Sequence, residues 1–132
     1  MYNTLFLSGK VTGDPNYREK FKKEKIRFES LGFVVLTPCV LPSNGFSYSQ
    51  YMVMTETMIS CCKYIHFLKD FRESKGALVE FRRCFQYIDG VPKIVDNLGK
   101  VISYKHDFFD YGGGSYPYRK YIQPIDKYLW RN

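Results

Sequence analysis

The chain has 132 residues, of which 45% are hydrophobic and 25% charged, and it carries a formal charge of +7. That composition gives room for one domain with its own core and excludes a disordered chain. No apolar run reaches the roughly 18 residues that span a bilayer, and no basic start leads into a long apolar run with a cleavage site, so neither a membrane span nor a signal peptide is expected.

In chain order, Asn3 to Leu7 reads as a first strand, and it runs into Ser8-Gly9-Lys10-Val11-Thr12-Gly13-Asp14-Pro15. A strand entering a glycine-rich turn and then a helix is a common phosphate or ribose loop of α/β sheets. The spacing matches neither the P-loop nor the Gly-x-Gly-x-x-Gly dinucleotide fingerprint, so a plain strand-to-helix turn is the competing reading. Asn16 to Leu31 follows as a helix with Tyr17, Phe21, Phe28 and Leu31 on one apolar face, Pro15 at its entry and Gly32 as its stop. Phe33 to Leu36 is a second, fully buried strand, and Pro42, Asn44 and Gly45 punctuate the loop after it. Ser47 to Cys62 is the second helix, with Tyr51, Met54, Met58, Ile59 and Cys62 inward, and Tyr64 to Leu68 is the third strand.

The third helix, Ser74 to Tyr87, opens on Ser74-Lys75-Gly76-Ala77-Leu78-Val79-Glu80. Ser74 suits an N-cap, Gly76 permits close approach of a ligand, and the free N–H groups of a helix start favour an anion. Glu80 stands four residues beyond Gly76, about 6 Å further along the axis and on the same face. An anion held at the cap therefore puts the group attached to it near this carboxylate. The alternative is an ordinary surface glutamate. Lys93 to Val95 is a fourth strand, able to pair with Val101 to Tyr104 as a hairpin through Asn97-Leu98-Gly99.

Strands alternating with helices predict an α/β fold, a three-layer, mainly parallel flavodoxin- or Rossmann-like sheet with helices on both faces. One domain covers 1–132, with its core in 3–95. An aromatic C-terminal extension covers 96–132 and includes the Gly112-Gly113-Gly114 run and Tyr104, Tyr111, Tyr116, Tyr118 and Tyr121. These tyrosines suit a base or a subunit interface. Both motif loops fall at the carboxyl ends of strands, where such sheets bind ligands. Cys39, Cys61, Cys62 and Cys84 make no metal pattern, and reduced thiols in a cytoplasmic protein are expected, with no metal or cofactor. The basic residues around Arg18 to Arg27 alternate with acids as on a solvated face, so a nucleic-acid partner is not the expectation. His66, in a buried strand, reads as a core histidine.

In this order of elements, the Ser-Gly-Lys-Val-Thr-Gly-Asp-Pro loop, the strand ending in Thr37-Pro38, and Ser-Lys-Gly-Ala-Leu-Val-Glu resemble the nucleoside 2-deoxyribosyltransferase superfamily. That superfamily includes the 2-deoxynucleoside 5′-monophosphate N-glycosidases. Within it, the chain is similar to a small family carried by phages and bacteria. The resemblance covers roughly residues 3 to 95. It implies that Glu80 is the nucleophile, that Ser74 and Gly76 line the phosphate or sugar side, and that Ser8, Gly9, Lys10, Val11 and Gly13 wrap the nucleotide; Tyr17 either closes over the nucleotide or packs under the helix. Phe71 stands where close relatives commonly carry a tryptophan beside the substrate. Thr55, with Glu56 next to it, stands where the superfamily usually has an aspartate, and Lys63 where another aspartate often opens the third strand. The expected proton donor to the leaving base is Asp70, with Glu56 or water as alternatives. The resemblance also implies a homodimer or higher homo-oligomer. Two other readings stay open: a non-catalytic binder that sequesters a nucleotide-derived signal, and an interaction module.

Overall fold

Four runs of apolar or β-branched residues pair in parallel to make the sheet that carries everything else. The computed structural model describes residues 2–86 and 92–102. The strands are β1 (Thr4–Ser8), β2 (Val34–Leu36), β3 (Tyr64–Phe67) and β4 (Lys93–Ile94), and the helices between them are α1 (Tyr17–Ser30), α2 (Tyr48–Ser60) and α3 (Lys75–Gln86). The sheet order is β2-β1-β3-β4, all parallel, with Phe6 opposite Leu36 on one side and Ile65 on the other. This is the order of a flavodoxin-like α/β fold.

The pleat of β1 divides the core in two. Leu5 and Leu7 point to the face covered by α1 and pack with Phe21, Phe28, Val35, Leu68 and Val95. Phe6 points to the other face and packs with Ile59 of α2, Phe81 and Cys84 of α3, and Ile65, Phe67 and Ile94 of the sheet. Helices therefore lie on both faces, and the fold has three layers. Each fully buried phenylalanine contributes about 1.5–3 kcal/mol. Among the described residues, five of them, Phe21, Phe28, Phe67, Phe71 and Phe81, are the largest side chains fully withdrawn from water.

Helix α1 stops where Gly32, at φ +97, turns the chain back, and the Phe33 N–H donates to the Phe28 carbonyl. Leu31 falls on this turn rather than on the helix and is 47% exposed, so it does not join the apolar face as expected. Met54 is likewise outside both core clusters. Helix α2 begins with a full capping box between Ser47 and Gln50. His66 is buried against Phe28, its Nδ1 is 2.9 Å from the Val95 carbonyl, and burial pushes it down to about 4, so it is a neutral core histidine. Past β4, Asp96 accepts from the Leu98 and Lys100 N–H groups, and Val101 bridges antiparallel to Val95, the start of the expected hairpin, whose Ser103 and Tyr104 lie outside the described residues. The glycine run and the aromatic extension from Ser103 onward, with His106, lie outside the described residues.

Candidate functional site

The sheet order reverses direction between β1 and β3, because α1 carries the chain to one side of β1 and α2 carries it to the other. Such a switch opens a crevice at the carboxyl ends of the two strands. A cleft of about 620 Å³ occupies it. Its floor is Phe6 and Ser8 of β1, which the pleat aims the same way, and Gly9, Val11, Thr12 and Tyr17 continue the wall.

The opposite wall is α3. Ser74 caps it, its Oγ accepting from the Ala77 N–H at 3.1 Å and its carbonyl accepting from the Leu78 N–H. That cap sets the phase of the helix. Ala77, Phe81 and Cys84 then fall on the core face, and Glu80 falls on the edge of that face which borders the cleft. Ser74, Lys75, Gly76, Ala77 and Glu80 all line the cleft.

Glu80 is the chemically unusual residue. It is only 4% exposed, and among the described residues its Oε1 has no hydrogen-bond partner. Its Oε2 lies 3.7 Å from Nη1 of Arg83. Burial pushes its carboxyl up to about 7; Arg83 opposes the rise and Glu56 adds to it. Desolvation wins because Arg83 is 42% exposed and shares its guanidinium with Glu56 at 3.3 Å. A buried carboxyl lining a cleft, with one oxygen unsatisfied and its titration near neutrality, is the pattern of a functional group.

The third wall comes from the β2–α2 loop and the start of α2. Pro38, Leu41, Pro42 and Phe46 of the loop face the cleft with Tyr48, Tyr51 and Met52 of the helix. The loop is held down at several points. Arg18 donates to the carbonyls of Cys39 and Leu41 and to the Ser43 hydroxyl, the Tyr17 and Ser43 hydroxyls are 2.9 Å apart, and the Tyr51 hydroxyl donates to the Pro42 carbonyl. This aromatic and apolar wall was not anticipated from sequence. Leu41 and Phe46, apolar residues inside a Pro- and Gly-punctuated loop, were its only visible signal.

A family model described as a domain of unknown function, DUF4406, matches residues 3–87. The chain belongs to the DUF4406 family. No curated protein and no solved structure matches it. The cleft walls from Phe6 to Glu80 all fall inside the span that defines this DUF4406 domain.

Among the expected residues, Ser8, Gly9, Val11, Tyr17, Ser74, Gly76 and Glu80 border the cleft. Four others stand elsewhere. Phe71 is fully buried among Phe67 and Phe81, because a short 3-10 turn over Phe71–Glu73 rotates it into the core. Asp70 is outside the lining. Its Oδ1 accepts from the Lys10 N–H at 3.1 Å, and its Oδ2 pairs with the Lys20 ammonium, which also binds Asp14. Burial alone lowers Lys20, but the two carboxylates outweigh it and hold the ammonium above its ordinary value. Asp70 thus locks the β3–α3 loop to the glycine-rich loop after β1 and to α1. Lys10 reaches Glu73 at 3.5 Å outside the lining, and Gly13 serves the turn through its φ of +80. The β1 loop also needs Gly9 sterically, since a Cβ there would lie 3.0 Å from Leu68 Cβ and Cδ1. At Gly76 the close approach is to Met52, whose Sδ would be 3.1 Å from an added Cβ.

Thr55 lines the cleft, with its hydroxyl donating to the Tyr51 and Met52 carbonyls, whereas Glu56 does not line it. Glu73 stands at the rim, its side chain 65% exposed, and Lys75 holds its ammonium 5.8 Å from the Tyr48 ring. Among the described residues no group of three or more His, Cys, Asp or Glu side chains converges as a metal site would. Among them, too, no helix is long and apolar enough to cross a membrane.

Proposed function

We propose that the protein binds a nucleoside 5′-monophosphate, a deoxyribonucleotide in the first instance, and cleaves or exchanges its base through Glu80. The observation that carries this reading is the buried Glu80 carboxyl, unsatisfied at Oε1 and bordering the cleft six residues after the Ser74 cap. The phosphate belongs at the start of α3, where the first N–H groups lack intrahelical partners and Lys75 adds positive charge. The base belongs against Phe46, Tyr48 and Tyr51, which offer aromatic faces and edges. The pentose then lies over Glu80.

In the first step a Glu80 oxygen bonds to the anomeric carbon while the carbon–nitrogen bond to the base breaks, and the bonding pair leaves with the base, which takes a proton. In the second step water or another base attacks the same carbon and the ester bond breaks. Glu80 returns as a carboxylate, and the attacking group releases its proton to solvent. Two displacements give overall retention. Only the ionised form attacks, so the rate rises with pH through about 7. The proton for the base comes from water, since Asp70 is engaged with Lys20 and Glu73 with Lys10. A cytoplasmic setting suits such a substrate, and a homo-oligomer belongs to the same reading.

Thr55 favours a second reading. Its hydroxyl is already committed to two carbonyls at a position where the resembled enzymes carry a carboxylate. A cleft so changed binds and sequesters a nucleotide-derived ligand without cleaving it.

Chromatographic analysis of incubations with a panel of nucleoside and deoxynucleoside monophosphates tests both. The catalytic reading predicts free base from at least one substrate, lost in Glu80→Gln while the fold persists. Absence of release across the panel contradicts catalysis. The binder reading then requires a raised melting temperature with a ligand recovered unchanged.

A further inference from the structure

One guanidinium serves two carboxylates at the seam between α2 and α3. Nη1 of Arg83 lies 3.3 Å from Glu56 Oε1 and 3.7 Å from Glu80 Oε2. The two acids differ in everything but this partner. Glu56 is on α2, part-exposed and outside the cleft lining, whereas Glu80 is on α3, buried and in it. We propose that Arg83 is a positioning residue for Glu80, tethered by Glu56 across the helix seam so that it holds one carboxylate oxygen and leaves the other free of any protein partner. The proposal rests on the reading of Glu80 as the attacking group, though the physical link between the three side chains exists without it.

The geometry gives each residue a definite job. A cation one helical turn from Glu80, at (i, i+3), restrains the rotation of its carboxylate. Were Arg83 free to close fully on Glu80, a bidentate pair would satisfy both oxygens and dull the nucleophile. Glu56 draws the guanidinium toward α2 and keeps the contact with Glu80 one-sided. This agrees with the bare Oε1 of Glu80. The same sharing keeps Glu80 from becoming a strongly acidic, weakly nucleophilic group. The Cys84 thiol, four residues on, is pushed up to about 12 by burial first and by Glu80 second, and is therefore neutral and adds no charge beside Glu80. Glu73, Lys75, Tyr17, Tyr48 and Tyr51 are the remaining titratable side chains lining the cleft.

The test is a carboxyl carbon-13 titration of the full chain labelled at glutamate, with the Glu80 signal assigned by its loss in Glu80→Gln. Arg83→Gln removes the attraction and moves the Glu80 midpoint up. Glu56→Gln removes a repulsion, leaves Arg83 to Glu80 alone, and moves the midpoint down, each by roughly one pH unit. Arg83→Lys, which keeps the charge, returns the midpoint toward the wild-type value. A midpoint unchanged in both Gln variants, or moved the same way in both, overturns the proposal. Glu56→Gln alters a part-exposed side chain and keeps the test open should Arg83→Gln fold poorly; no downward shift there overturns the proposal by itself. Where base release is measurable, its pH profile follows the same midpoints. If no nucleotide is cleaved while the midpoints move as stated, the glycosidic reading fails and the positioning of Glu80 stands.

Discussion

An ionised Glu80 must sit in a nearly water-free position with one oxygen unpaired, and the fold has to accommodate that. The folded protein binds the proton more tightly than the unfolded chain does, since burial raises the carboxyl from 4.5 to about 7. The stability tied to this group is therefore fully present below about 4.5 and is lost as pH rises through about 7. Glu80→Gln removes the titration. It is expected to match wild type in thermal melts near pH 4 and to exceed it at pH 8, by on the order of 1–3 kcal/mol. A variant that melts lower than wild type at pH 8 contradicts this account of the residue. A gain in stability together with a loss of base release is the trade expected if the proposed role of this buried carboxyl holds.

The loops after β1 and β3 are held by side chains that the elements bring from far apart in sequence. Asp70 accepts from Lys10 and pairs with Lys20, fifty residues away on α1. Asp70→Asn is expected to lower stability by about 1–3 kcal/mol in denaturant melts. Base release per folded molecule should stay within a few-fold of wild type; its selective loss in a well-folded variant would identify Asp70 as the proton donor after all. Gly9→Ala, with its Cβ driven against Leu68, should cost about 1–3 kcal/mol in the same melts. This is also where sequence reading reached its limit. The strands and helices were legible because continuous apolar runs alternate with capped amphipathic segments, and Glu80 was legible because the Ser74 cap fixes its phase. Asp70 and Phe71 sit in the loop the sequence points to, but the fold turns both away from the cleft. Their orientation depends on a one-turn 3-10 segment and on Lys20, and neither leaves a periodic mark. The wall from Pro38 to Tyr51 was missed for a related reason. Its shape is set by Arg18, Tyr17 and Tyr51 bonding to loop carbonyls and a hydroxyl, contacts that no local pattern announces.

Taken whole, the molecule pairs a carboxylate with an aromatic wall and a helix start at the switch point of a basic α/β domain of net charge +7. A phosphorylated ligand should raise its melting temperature, by an amount equivalent to roughly 2.7 kcal/mol at a hundredfold excess over Kd, and a flat melt against every nucleotide tried would contradict nucleotide binding. In the proposed reaction Glu80 becomes covalently joined to the sugar. Mass spectrometry of protein quenched during turnover of a deoxynucleoside monophosphate tests it most directly. The account predicts a deoxyribosyl-phosphate adduct on the α3 peptide, located at Glu80 and absent in Glu80→Gln. Base release that proceeds with no adduct at Glu80, and persists at the wild-type rate in Glu80→Gln, would contradict it.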